Sequence, residues 1–222
     1  MKIVTTLANH PTADQPDQLG MAELMSLLTA YGIACAAARL ARSADEAAAA
    51  ATAIGFPVAI KIVSPDIPHK AEAGGVALDL PDAGAVHRAT GAMFGRIAST
   101  RPAAVIHGVL VQSMAPPGWE LFIAGGRDGD DGPVVSVGGE FGAWTSRPAV
   151  PLTDLGEVVP ADGARTGERR PGLDGLIGRF AQLLVDRPEL IAVEIDPLIV
   201  GPAGPVAVDA RARRGDGERP WS

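Results

Sequence analysis

The chain has 222 residues, with 26 Asp and Glu against 19 Lys and Arg and a formal charge of −7 at pH 7. That length can bury one large core or two smaller ones, and the acidic balance argues against a general nucleic-acid binder, whose surface would be basic. The single cysteine, Cys35, excludes an internal disulfide; it lies in an apolar stretch and reads as core packing.

The N-terminus lacks the basic start and long apolar stretch of a signal peptide. Nowhere do 18 apolar residues run together, so the expected location is the cytoplasm, with no membrane span. Residues 1–19 read as a flexible lead. From Met21 the residues Leu24, Leu27, Leu28 and Tyr31 keep helical spacing, and Gly32 ends the helix. A short strand is expected over 33–40. Ser43-Ala-Asp-Glu46 is a capping box opening an Ala-rich helix that Gly55 closes. Strands follow at 56–63 and 76–80, separated by a polar loop over 64–75. Asp82 caps a helix carrying Val86, Met93, Phe94 and Ile97. Further strands are expected at 105–114, 119–124 and 133–137. Residues 138–172 are rich in Gly, Pro, Arg and Asp and read as loop. Leu173, Leu176, Ile177, Phe180, Leu183 and Leu184 mark a last helix, and 213–222 a polar tail. This order is α+β, with antiparallel hairpins rather than a βαβ series.

The chain then closes in a hairpin, Ile191 to Val200 and Pro205 to Ala212 around Gly201-Pro-Ala-Gly204. A four-residue turn pairs Val200 with Pro205, Asp196 with Asp209 and Glu194 with Arg211. Alternation puts Glu194, Asp196, Leu198, Ala207, Asp209 and Arg211 on one side and mostly apolar residues on the other. Opposed Cβ atoms lie about 4.5–5.5 Å apart, where like charges repel. A hard cation such as Mg²⁺ would offset that repulsion; two solvated surface acids are the alternative.

Three other constellations stand out. Lys61 sits mid-strand among apolar residues and needs either an anion, such as a phosphate, or a route to water. In the loop Ser64-Pro-Asp-Ile-Pro-His69-Lys70-Ala-Glu-Ala-Gly74-Gly75, paired glycines let amides approach a phosphate, Lys70 adds charge, and His69 could carry a proton or a phosphoryl group. A polar turn is the plainer reading. Gln112, Ser113 and Met114 end an apolar strand whose edge could hold an adenine ring. His10, His87 and His107 show no ligand spacing.

Together, the run from Gly55 through His69 to Val76 closely resembles the ATP-grasp domain of the NDP-forming acyl-CoA synthetases, the ADP-forming acetate–CoA ligases related to the succinyl-CoA synthetase β subunit. Ala30-Tyr-Gly-Ile33, Gly108 to Leu121, Glu194-Ile-Asp-Pro-Leu-Ile-Val200 and Ala207-Val-Asp-Ala-Arg211 fit the same family. The resemblance covers residues 20–212. It implies an ATP-grasp fold in which two α+β subdomains, about 20–105 and 106–212, clamp Mg-ATP or Mg-ADP. It implies that Lys61 contacts phosphates, with Lys70, Gly74 and Gly75 nearby, and that Gln112, Ser113 and Met114 line the adenine side. Asp196 and Asp209 would bind the metal, and His69 would take a phosphoryl group. Such enzymes interconvert acyl-CoA, ADP and phosphate with acid, CoA and ATP. Their acyl and CoA chemistry lies in a CoA-binding α-type subunit or domain, for which this chain has no room.

The chain departs from the family at three places. Asp196 stands where Asn is usual, and Ser113 where Glu is usual. After Gly138-Gly139 an acidic position is lost and the 138–152 segment is shortened. These departures keep open a non-catalytic, regulatory nucleotide-binding subunit as the alternative. A separate ATP-grasp ligase acting on another carboxylate is a third possibility.

Overall fold

The computed structural model describes residues 19–67, 69–127, 133–139, 142–146 and 172–215. The expected N-terminal lead, most of the 138–172 loop and the end of the polar tail lie outside them. In chain order the elements are α1 (Met21–Ala30), β1 (Ala38–Ala41), α2 (Ala44–Ile54), β2 (Val58–Val63), β3 (Val76–Leu80), α3 (Ala83–Thr100) and β4 (Gly108–Ser113). There follow β5 (Trp119–Arg127), β6 (Pro133–Gly139), β7 (Gly142–Ser146), α4 (Leu173–Asp186), β8 (Leu190–Gly201), β9 (Gly204–Ala207) and β10 (Ala210–Arg214). All paired strands run antiparallel, so the α+β expectation holds.

The chain forms two compact units, one of Ala36–Ala115 and one of residues 19–35 with 116–215. This corrects the expected boundary near 105/106. β4 belongs to the earlier unit because it pairs with both β1 and β2, in the order β1-β4-β2-β3. α1 belongs with the later residues, and its unit has the sheet order β10-β8-β5-β6-β7 with β9 also on β8. The strand expected at 33–40 is correspondingly split: Cys35 makes a single bridge to Ala207, and β1 begins only at Ala38.

Local sequence explains the helix ends. Gly32 takes φ +73°, and the Gly32 and Ile33 amides donate to Thr29 O and Leu28 O at 2.9 and 3.0 Å, which closes α1. Ser43 Oγ accepts the Glu46 amide at 3.1 Å, while the Glu46 carboxylate reaches back to the Arg42 amide at 2.8 Å. Asp82 caps α3 through the Ala85 amide at 2.7 Å.

In the Ala36–Ala115 unit, α2 and α3 pack on one sheet face around Val58, Ile60, Ile62, Val109, Val111 and Ile97. In the other unit, α4 lays Leu176, Ile177, Phe180, Leu183 and Leu184 against Ile123, Val135, Val193 and Ile195. Gly125 lets that contact form: a Cβ there would sit 2.5 Å from Leu184 Cδ1 and 2.9 Å from both Phe180 Cε1 and Val134 O. Gly125→Ala is therefore expected to cost about 1–3 kcal/mol by overpacking, read as a lower urea midpoint with an unchanged slope.

The closing hairpin keeps the expected register: Val200 faces Pro205 and Glu194 faces Arg211. Its faces are corrected at one point. Leu198 and Ala207, expected on the acidic side, lie in the same core as Val193, Ile195, Ala210 and Ala212. The reason is a bulge. Leu121 pairs with Leu198 but Ile123 with Ile195, so Asp196 and Pro197 together oppose Phe122. Pro197 has no amide to continue the ladder, and the extra residue shifts the alternation by one. β7 is a second difference, since residues 142–146 read as loop from sequence yet pair with β6.

Candidate functional site

Antiparallel register arranges the Ala36–Ala115 sheet in rows. Leu40 faces Leu110, Leu110 faces Lys61, and Lys61 faces Val76. This row lies on the face opposite the one packed by α2 and α3. Lys61 is thus half-buried, flanked by apolar side chains. The adjoining row is Ala38, Gln112 and Ala59. Gln112 is buried, between two alanines. Ser113 and Met114 are half-buried, and their amides donate to Ala37 O at 2.8 Å and Pro57 O at 3.2 Å. Those two amides are engaged in the fold.

His69 is exposed on the loop between β2 and β3, with Lys70 half-buried beside it. The loop closes on itself. Ala73 N–H donates to His69 O at 3.1 Å, Gly74 N–H to Ala71 O at 3.0 Å and Gly75 N–H to Lys70 O at 2.7 Å. The idea that the glycine pair offers free amides to a phosphate is corrected accordingly. Packing explains the glycines instead. Gly74 has φ +66° and lies against Arg96, and a Cβ on Gly75 would sit 2.4 Å from Ile62 Cγ2.

The second group of candidate residues belongs to the other unit. Asp196 and Asp209 face each other across the bulge, with the Asp196 amide donating to Asp209 O at 3.0 Å. Asp209 Oδ1 accepts the Ala210 amide at 2.9 Å. Two residues along, Glu194 lies buried opposite Arg211, Nη2 to Oε2 3.6 Å. Burial pushes the Glu194 carboxyl up; Arg211 opposes this, and Asp196 and Asp209 add to it. Partial desolvation also pushes Asp196 up although its side chain keeps access to solvent, again opposed by Arg211 and reinforced by Asp209. Three carboxylates therefore share one guanidinium, and the buried Glu194 Oε2 has no hydrogen-bond partner among the described residues.

Such a surplus of hard oxygen and negative charge fits a divalent cation. Among the described residues no group of three or more His, Cys, Asp or Glu is placed to hold a metal alone. A facing carboxylate pair is nonetheless the number of protein ligands that Mg²⁺ commonly takes, with water and substrate phosphate completing its shell. Sequence reasoning missed the part of Glu194 and Arg211. Their pairing was legible in the register, but the burial of Glu194 depends on tertiary packing.

An α+β chain of two units, each built on an antiparallel sheet, has the architecture of an ATP-grasp protein, and the chain belongs to that family, whose domain model matches residues 12–146. Within it the chain is similar to the ADP-forming acyl-CoA synthetases. It is 34% identical to acetate–CoA ligase [ADP-forming] I of Archaeoglobus fulgidus over 88% of this chain, but spans only 31% of that protein. It is 29% identical to the β subunit of acetate–CoA ligase [ADP-forming] I of Pyrococcus furiosus, over 85% of this chain and 88% of the subunit. The dinucleotide forming acetyl-coenzyme A synthetase 1 of Ca. Korarchaeum cryptofilum, solved with coenzyme A and Ca-AMPCP, superposes with a TM-score of 0.79 at 31% identity, over 90% of this chain and 94% of that one. The same synthetase has also been solved with Mg-AMPPCP and a phosphohistidine segment pointing towards its nucleotide binding site. No helix among the described residues is long and apolar enough to cross a membrane.

Proposed function

We propose that this chain is the β-type, nucleotide-binding component of an ADP-forming acyl-CoA synthetase, an acid–thiol ligase, working with a CoA-binding α-type partner in the cytoplasm. The observation that carries the reading is the facing pair Asp196 and Asp209, held at a bulge beside a buried, under-neutralised Glu194. Asp196 and Asp209 would hold Mg²⁺, which when bound neutralises phosphate charge and orients the terminal phosphoryl group. Lys61 supplies a fixed positive charge to the phosphates from a rigid strand, with Lys70 adding to it. Gln112, Ser113 and Met114 form the edge against which the adenine lies. An imidazole nitrogen of His69 attacks the terminal phosphorus, and ADP leaves. The reverse step returns the phosphoryl group to ADP, so that acid, CoA and ATP interconvert with acyl-CoA, ADP and phosphate.

A second reading, a regulatory subunit that binds nucleotide without catalysis, is favoured by Ser113 and by the altered run after Gly138-Gly139. Both readings need the nucleotide, so calorimetry with ADP comes first. The chain is expected to bind ADP about tenfold or more tightly with Mg²⁺ than in excess chelator, a difference of about 1.4 kcal/mol. Asp209→Asn should erase most of that difference, and Lys61→Ala should weaken binding in both conditions without unfolding the protein. Equal affinity with and without Mg²⁺ removes the metal reading.

A further inference from the structure

The loop that carries His69 is fastened at both ends by polar contacts to other elements. On one side Asp66 Oδ2 accepts the Val105 amide at 2.6 Å, and Ser64 Oγ accepts the Asp66 amide at 3.2 Å. On the other side Arg96, from α3, donates through Nη1 to Gly74 O at 3.1 Å. Ile67 inserts into the core, and the Ile62 amide donates to Gly75 O at 2.7 Å. The three internal bonds tie residues 69–75 together, while the His69 side chain is exposed.

Neither Asp66 nor Arg96 belongs to the hydrophobic core of the unit. Their contacts join segments far apart in sequence, 39 residues for Asp66 and Val105 and 22 for Arg96 and Gly74. Gly74 suits the turn through its φ of +66°, a conformation that favours glycine, and the Arg96 guanidinium lies close against it. The arginine thus lies directly against the turn.

We propose that Asp66 and Arg96 are positioning residues, which brace the β2–β3 turn so that the His69 imidazole is presented in one place for phosphoryl transfer. The proposal rests on His69 acting as the phosphoryl acceptor, as argued above. Its physical basis is preorganisation: a nucleophile held near its attack geometry saves the ordering that a mobile loop would need at each turnover. The turn is a fixed platform rather than a swinging arm.

The test uses the full chain in complex with a CoA-binding partner, with ATP and Mg²⁺. It follows phosphohistidine at His69 by rapid quench, ADP affinity by calorimetry, and exchange of the Ala73, Gly74 and Gly75 amides. Arg96→Ala and Asp66→Ala are each expected to speed amide exchange in the turn and to slow phosphorylation about tenfold or more, because misplacement of about 1 Å costs that much or more. ADP affinity should stay within about twofold, since neither residue touches the proposed nucleotide groups. Arg96→Lys and Asp66→Asn keep a donor and an acceptor and should recover much of the rate. Wild-type rates in both alanine variants overturn the proposal alone. So does a parallel fall in ADP affinity, which would mark a merely structural role. A wild-type complex that binds Mg-ADP but never phosphorylates His69 overturns the catalytic reading, and the positioning role with it.

Discussion

His69→Ala is expected to abolish phosphoryl transfer and leave nucleotide binding intact. The imidazole is the one nucleophile on the 64–75 loop whose nitrogen can form and break a phosphoramidate near neutral pH. Its side chain is exposed, and the three internal bonds of residues 69–75 join backbone atoms, so alanine removes the nucleophile without opening the turn. In complex with a CoA-binding partner, wild type should give an acid-labile, base-stable phosphoenzyme from ATP and Mg²⁺. The variant should give none, and acyl-CoA-dependent ATP formation should fall by about 10³-fold or more, as when a covalent nucleophile is deleted. Lys70→Ala should reduce turnover less, since it removes charge and leaves the nucleophile. A complex that binds Mg-ADP yet shows neither phosphoenzyme nor turnover in wild type would pass the chain to the regulatory reading.

Much of this arrangement is legible in the sequence because it is set by local periodicity. A period of two marks the strand that carries Lys61, and the Gly-Pro-Ala-Gly turn fixes the hairpin register that puts Asp196 against Asp209. What was not legible is set by partners distant in sequence. The shift in alternation at Pro197 is recorded in the pairing of β8 with β5, some 75 residues away, and not in the hairpin alone. The unit boundary follows from β4 inserting between β1 and β2, an order that no local pattern encodes. The Gly74-Gly75 pair shows the same limit. Two glycines after a lysine suggest an anion site, yet here they make room for Arg96 and Ile62. The brace from Arg96 had no sequence signal, since nothing in α3 marks one arginine as facing a loop.

The acidic hairpin should make stability depend on pH and Mg²⁺ together. Burial raises the Glu194 and Asp196 carboxyls above their ordinary values of 4.5 and 3.8, with Asp209 adding to both and Arg211 opposing. Each group then holds its proton more tightly in the folded chain than in the unfolded one. The stability this contributes is complete below the ordinary values and is lost as pH rises through the raised ones. Through these groups the metal-free protein should weaken as pH rises past their ordinary values. Glu189 works in the opposite sense, since Arg187 holds its carboxyl low, but that pair is largely exposed and screened, so its weight is small. Mg²⁺ with ADP should reverse the loss at pH 7, adding about 2.7 kcal/mol when free ligand is 100 times its Kd, and should do less at acidic pH, where protons compete for the raised Glu194 and Asp196 carboxyls. Asp196→Asn separates the charge from the fold. It keeps an oxygen, removes the repulsion with Asp209, and should stabilise the metal-free protein at pH 7 by about 0.2–1 kcal/mol, towards the lower end because Asp196 is exposed. The gain should vanish near pH 4, and the stabilisation by Mg-ADP should shrink. Urea titrations of both proteins at the two pH values, with Mg-ADP and with chelator, measure all of this. Identical pH dependence in the two proteins would mean that the facing carboxylates do not repel each other, and the case for a cation between them would lose its physical ground.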